Sequence, residues 1–216
     1  MDSLIHSLRD ITIRRISVSE MNNNVYLLTA RASGAQLLID AADDLPAIQQ
    51  MIEDSAADTT AAPSLALIAT THQHWDHVRA LPGLVEATGA KTSAGVDDAD
   101  ALPVPVDVQL RHGDVGKFDG FDITAVHLRG HTPGSIAYVY LDPEGPAHIF
   151  SGDSLFPGGV GNTQNDADRF TSLLNDVSER LFEAYPDDTV VHPGHGDPTT
   201  LGAERPHLAE WRERGW

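Results

Sequence analysis

Residues 70 to 78 read TTHQHWDHV, which places His72, His74, Asp76 and His77 almost side by side in a chain that contains no cysteine. Imidazole and carboxylate are the side chains left to bind a divalent metal when thiolate is absent, so this density points to metal chemistry. Histidines at i and i+2 cannot share a helix face, which excludes the helical design in which ligands recur at i and i+4. In an extended loop, His72 and His74 project to the same side and could chelate one ion. Asp76 and His77, displaced along the loop, could reach a second ion beside the first.

The segments on either side indicate what must hold this loop. SLALIATT before it is apolar and β-branched and reads as a buried strand, and VRALPGLV after it is short and amphipathic and reads as a helix. One loop cannot close two coordination shells, so further ligands are expected at other strand ends. His131 follows the strand FDITAVHL within the turn LRGHTPGS. Asp153 follows AHIFS in FSGDSLF, where Gly152 permits close backbone approach, and His195 follows TVVHP in VVHPGHGDP. Any one of these residues alone would pass as a turn residue or a cap. Four His- or Asp-bearing loops, each following a strand, form a set that chance does not readily supply.

The rest of the chain reads as strands and helices in two similar halves without a linker, hence as one domain over 1–216. ITIRRISV, VYLLTA and QLLIDA read as strands, with NNN as a turn and Asn22 to Asn24 as a possible rim of the site. Asp43 to Asp54, Phe170 to Tyr185 and Ala203 to Arg214 read as helices, and DVQL and SIAYVYL as further strands. Meander-like stretches outnumber βαβ units, which favours a two-sheet sandwich with helices on its outer faces, an α+β fold. Gly158, Gly159 and Gly161 read equally as a site mouth or a plain loop.

Composition narrows the partners. The formal net charge of -18 repels phosphate backbones, so nucleic acid is not an expected partner. No apolar run is long enough to cross a bilayer, and the first residues lack a secretory h-region, so no membrane partner and a cytoplasmic location are expected. A small-molecule substrate is left.

The combination THQHWDH, GHTPGS, FSGDSLF and PGHG, in this order and spacing, resembles the metallo-β-lactamase fold hydrolases, most closely their glyoxalase II-like branch. The resemblance runs from about Ile11 to Trp216 and implies a four-layer αββα sandwich with the site at the edge between two sheets. It further implies that His72, His74 and His131 bind one metal, that Asp76, His77 and His195 bind a second, and that Asp153 bridges them. Two divalent ions are then the expected cofactors, zinc first, with iron or manganese as alternatives. A water shared by two such ions has its pKa lowered from about 15.7 towards 7 and can attack a polarised carbonyl, with Asp76 holding it in line as the catalytic residue. No GxSxG elbow is present to suggest a serine nucleophile.

Zinc β-lactamases of this fold place Cys or Ser where this sequence has Asp153, so the resemblance favours the glyoxalase II, lactonase and phosphodiesterase branches. The expected activity is hydrolysis of a small thioester or ester. The alternatives are a lactonase, or a mononuclear iron persulfide dioxygenase using His72, His131 and Asp153. Glyoxalase II proper carries a further helical domain that grips glutathione, and the short segment after His195 is expected not to supply one. Arg205, Arg212 and Arg214 in that segment read as surface helix charges. The remaining histidines, His6, His112, His127, His148, His192 and His207, read as surface or strand residues, with His127 and His192 nearest the metal loops.

Overall fold

The computed structural model describes residues 3–215. The first half of the chain builds a seven-stranded sheet in the order β1 (Leu4–Ser7), β2 (Ile11–Val18), β3 (Asn23–Ala30), β4 (Ala35–Ile39), β5 (Ser64–Ala69), β6 (Lys91–Gly95) and β7 (Val108–Leu110). Strands β1 to β4 pair antiparallel, whereas β4 to β7 run parallel. The second half forms a six-stranded sheet from β8 (Val115–Phe118), β9 (Phe121–His127), β10 (Ile136–Tyr140), β11 (His148–Gly152), β14 (Val190–Pro193) and β15 (Thr199–Thr200). Between β11 and β14 lies a small hairpin of β12 (Leu155–Phe156) and β13 (Gly159–Val160).

Three apolar layers hold these sheets and define the sandwich. Alternate residues of one strand serve two of the layers, so both faces of each sheet are buried, as expected for strands covered on both sides. Tyr26, Leu28, Leu37, Ile39, Ile136, Tyr138 and Phe150 fill the space between the sheets. From the first sheet, Val25, Leu27 and Leu38 point outward against Ile48, Met51, Leu81 and Leu84 of helices α1 (Leu45–Asp54) and α2 (Leu81–Thr88). From the second, Ala137, Val139 and Ile149 meet Phe170, Leu173, Val177 and Trp211 of α3 (Ala167–Val177) and of the C-terminal helices. The result is a four-layer α+β sandwich, two sheets face to face with helices on both outer faces, as expected.

Local chemistry sets the helix ends. Asp44 caps α1 by accepting from Ala47 N, Asp166 caps α3 by accepting from the Asp168 and Arg169 amides, and Gly89 ends α2 in the left-handed region at φ 65°. Three helices differ from the sequence expectation, the first being the one read in VRALPGLV, which lies later, over Leu81–Thr88. The helix expected over Phe170 to Tyr185 starts earlier, at Ala167, and widens into a π-helical turn over Ser178–Phe182. There Ser178 Oγ donates to the Leu174 carbonyl and takes up a backbone acceptor. The helix expected over Ala203 to Arg214 is split into α4 (Leu201–Glu204), a 3₁₀ turn at Arg205–His207 and α5 (Leu208–Arg214). Pro206 lies in that turn and has no N–H to continue the ladder. None of the described helices is long and apolar enough to cross a membrane.

Topology decides where the working loops lie. Strands β4, β5 and β6 are parallel, so their C-terminal ends open on one edge, and β3, antiparallel to β4, begins there. In the second sheet β11 and β14 are parallel to each other, and β9 points the same way because β10 is antiparallel to both β9 and β11. All the loops singled out from the sequence thus leave from strand ends.

Candidate metal centre

The seven side chains picked from the sequence come together at one edge of the sandwich. Ligating atoms within 4.8 Å of one another are offered by three overlapping groups: His72, His74 and His131; His72, His77 and Asp153; and Asp76, His77 and His195. Asp153 lies between them, with its carboxylate oxygens 3.4 Å from His77 Nε2, 3.5 Å from His195 Nε2, 3.6 Å from His131 Nε2 and 4.0 Å from His72 Nε2. Asp76 Oδ2 is 3.4 Å from His195 Nε2 and 3.6 Å from His77 Nε2. Asp76 and His77 lie in a separate 3₁₀ turn, Trp75–His77, ahead of α2.

Hydrogen bonds on the far side of each ring show what this geometry favours. His131 Nδ1 donates to the Asn162 carbonyl at 2.8 Å, and His195 Nδ1 to the Met21 carbonyl at 2.9 Å. His77 Nδ1 donates to Asp40 Oδ2 at 2.9 Å. Thr71 Oγ1 gives its proton to Asp40 Oδ2 at 2.7 Å, so it accepts from His72 Nδ1 at 3.0 Å. When each of these rings is neutral, as a metal ligand must be, its proton is held outward on Nδ1 and the Nε2 lone pair faces the centre. His77 Nε2 and His195 Nε2 lie 3.1 Å apart, a spacing at which two lone pairs repel unless a cation lies between them. His72 Nε2, His131 Nε2 and Asp153 Oδ1 are buried and make no hydrogen bond. The donor set fits a divalent metal.

The electrostatics agree. Burial alone would depress the His77 imidazolium, but the carboxylates of Asp40 and Asp153 outweigh it and push its pKa up to about 10. His195 is raised in the same way by Asp153 against burial. His72 is driven well below the ordinary histidine value by burial and by neighbouring His77, and His131 is lowered chiefly by burial. Burial opposes ionisation of Asp153, yet the neighbouring imidazoles of His195 and His77 hold its carboxyl well below the usual range. The centre is a place where positive charge is stabilised.

Two polar residues that sequence reasoning did not select, Asp40 and Asp98, and one that it offered only as part of a rim, Asn23, position this centre. Asp40, directly after β4, is buried at φ 58° and accepts from Thr71 N as well as from Thr71 Oγ1 and His77. It therefore orients His77 directly and His72 through Thr71. Asn23 Nδ2 donates to Asp76 Oδ2 at 2.9 Å. The expected turn at NNN is thus a turn only at Asn22, with φ 55°; Asn23 and Asn24 are fully buried in β3, where Asn24 ties the strand to the Pro193 and Gly196 carbonyls. Asp98, after β6, accepts from Gln73 N, Thr132 Oγ1 and Gly134 N and so joins the first metal loop to the turn that carries His131. A signal for Asp40 was present, since an acid directly after an apolar strand is the pattern that picked out Asp153.

Close packing leaves no room for larger residues. A Cβ on Gly152, at φ 50°, would meet the Thr71 side chain at 2.5 Å, and one on Gly161 would meet the Asp153 carbonyl at 1.7 Å. Gly161 therefore packs against the centre, whereas a Cβ on Gly158 would meet nothing. Gly194 has an ordinary backbone conformation, but a Cβ there would lie 2.3 Å from Asp153 Oδ1 and 2.8 Å from His77 Cε1. Gly194→Ala is expected to keep the fold, seen as an unchanged circular dichroism spectrum, while lowering metal retention and turnover by at least about tenfold, because misplacing a reacting constellation by ~1 Å can cost a hundredfold.

A four-layer sandwich with a His/Asp centre on the shared edge of its sheets defines a metallo-β-lactamase fold. The chain belongs to the Metallo-beta-lactamase superfamily, which it matches over residues 18–195. It is 33% identical over 174 residues to a hydroxyacylglutathione hydrolase of Cereibacter sphaeroides, covering 81% of this chain and 62% of that one. The chain thus spans less than two thirds of that relative's length. It is also 27% identical over 213 residues to the hydroxyacylglutathione hydrolase GloC of Haemophilus influenzae, covering 90% of this chain and 95% of that one. Among solved structures, TTHA1623 in a di-iron-bound form is similar with a TM-score of 0.68 and 31% identity, covering 88% of this chain and 96% of that one.

Proposed function

We propose that this chain is a metal-dependent hydrolase of small thioesters or esters, with a two-ion centre. His72, His74 and His131 would hold one ion and Asp76, His77 and His195 the other, with Asp153 shared. The observation that carries this reading is the Asp153 carboxylate, which lies within 4.0 Å of Nε2 of His72, His77, His131 and His195, drawn from both groups. When bound, the ions would supply an acidified water and polarise the substrate carbonyl. Zinc suits an all N/O set, and iron suits it equally, as the di-iron form of TTHA1623 illustrates for that relative. The choice of thioester rests on the likeness to hydroxyacylglutathione hydrolases.

The residues of this chain have distinct tasks in that reaction. Asp76, held by Asn23 through Oδ2, would help to hold the second ion and orient the nucleophilic water. Asp76→Asn is expected to keep the fold and cut turnover at least about tenfold, measured by steady-state kinetics on a thioester. An unchanged rate would reduce Asp76 to a structural role in its 3₁₀ turn. Trp75, 61% exposed, stands beside the ligands with the Arg79 guanidinium 4.0 Å over its ring and offers a flat apolar lip to a substrate.

The reading is tested by metal analysis followed by a panel of thioesters, lactones, β-lactams and phosphodiesters. Two ions per chain and a thioester as the best substrate are expected; one iron with oxygen consumption on a persulfide would replace it with the dioxygenase alternative. Specificity for the thiol half is expected to be weak. Beyond His195, the Arg205 guanidinium is engaged by Asp187 and the Phe182 carbonyl, and that of Arg214 by the Gly158 carbonyl and Glu210. A glutathione thioester and a simple thioester sharing its acyl group should therefore differ in kcat/KM by less than about tenfold, or about 1.4 kcal/mol. A hundredfold preference would reveal a thiol-binding surface.

A further inference from the structure

Three histidines outside this centre meet in the layer between the sheets. His6 lies on β1 at the margin of the first sheet, His148 opens β11, and His192 lies in β14. They offer ring nitrogens within 4.8 Å of one another. The His6 ring stands edge-on to both others, with centroids 4.7 Å from His148 and 5.4 Å from His192. His148 Nδ1 and His192 Nε2 are 3.0 Å apart, close to the 3.1 Å between His77 Nε2 and His195 Nε2. The cluster shares no residue with the first centre, and its nearest member in sequence, His192, lies three residues before His195, up to roughly 10 Å along an extended chain. Read singly, these histidines were strand or surface residues; only the packing of the two sheets brings them together.

We infer that His6, His148 and His192 form a second metal site, which takes one divalent ion of the imidazole-preferring class, zinc, nickel or copper. A hydrogen bond between His148 and His192 does not account fully for these rings. Whichever ring donates, one buried N–H is left over, and indeed His148 Nε2 and His192 Nδ1 are both buried without a partner. Tyr140, its ring 6.4 Å from that of His148, also has a buried hydroxyl without a partner, a candidate acceptor for the N–H that a metal-bound His148 would keep.

The ring chemistry suits ligation. Burial lowers the pKa of His148 to about 4 and that of His192 well below the ordinary value, so both rings are neutral and able to ligate at pH 7. Imidazole without carboxylate excludes magnesium and calcium, and three imidazoles with an open fourth position form a known zinc arrangement. His6 is only partly buried and provides the route of entry from solvent. An ion here would tie the marginal strand β1 of one sheet to β11 and β14 of the other.

The test compares the full chain with His6→Ala and His6→Gln, which alter the least buried ring. Each protein is dialysed against micromolar Zn(II) and analysed for metal, turnover and Tm. The wild type should hold one more zinc per chain than either variant, whatever the first centre holds, while thioester turnover stays within about twofold. The Tm of the variants should be lower in zinc and equal to that of the wild type after EDTA, because an ion that binds only the folded state adds stability only while present. Equal zinc in all three proteins would overturn the site, as would a Tm gap that persists in EDTA, since His6 would then act by packing alone.

Discussion

Asp153→Ala is expected to lower retention of both ions and to reduce turnover by more than about a hundredfold. The carboxylate is within 4.0 Å of Nε2 of four histidines drawn from both ligand groups, so its removal takes a donor from each. It also removes the negative charge that offsets repulsion between two divalent ions. Loss of an outer partner of a ligand already costs about ten- to a hundredfold, and loss of a shared ligand should exceed that. Metal content per chain, measured before and after dialysis, and steady-state rates are the readouts. One tightly held ion unaffected by the substitution would end the two-ion reading.

The second large effect should come from a residue that touches no metal. Asp40→Asn is expected to lower metal retention and turnover by about ten- to a hundredfold with little loss of Tm. Thr71 N is a fixed donor to Asp40 Oδ1 at 2.7 Å, so an asparagine there must keep its carbonyl oxygen on that side. Its amide then faces Thr71 Oγ1 and His77 Nδ1, where Asp40 Oδ2 now accepts from both. His77 can accept that N–H only by moving its own proton to Nε2, the atom that faces the centre. The size and left-handed backbone preference of the residue are kept, since Asn tolerates φ near 58° well. Asp40→Glu keeps the charge but not the reach, and should fail for a different reason, with a fall in Tm. Wild-type metal affinity in Asp40→Asn would show that the ring is oriented by packing alone.

Residue type and short-range order made much of this protein readable from its sequence. His72, His74, Asp76 and His77 are neighbours in the chain, and His131, Asp153 and His195 each follow a strand with a Gly or Pro turn, so pattern and turn chemistry were enough to select them. The two-sheet sandwich was legible for a related reason: apolar residues alternate along β2 and β9 with the period of a strand, and β10 is a short continuous apolar run. Short strands with few β-branched residues, such as LIHS at β1 and KTSAG at β6, carry too weak a pattern to be placed from the sequence, and the amphipathic pattern over Ala203 to Arg214 hides the break at Pro206.

Tertiary structure alone decided which residues the ligands lean on. Asn23 reaches Asp76 across 53 positions, Asp40 reaches His77 across 37, and Asp98 reaches Thr132 across 34. No local periodicity encodes such pairings, because they arise from parallel strands that bring distant ends to one edge of a sheet. The meeting of His6, His148 and His192 has the same origin, since it requires a strand from each half of the chain and the packing of one sheet on the other. Side-chain chemistry is a property of the residue and can be read in order along the chain, whereas the direction of a lone pair depends on which distant acceptor takes the ring's proton, and that acceptor is assigned only when the sheets close.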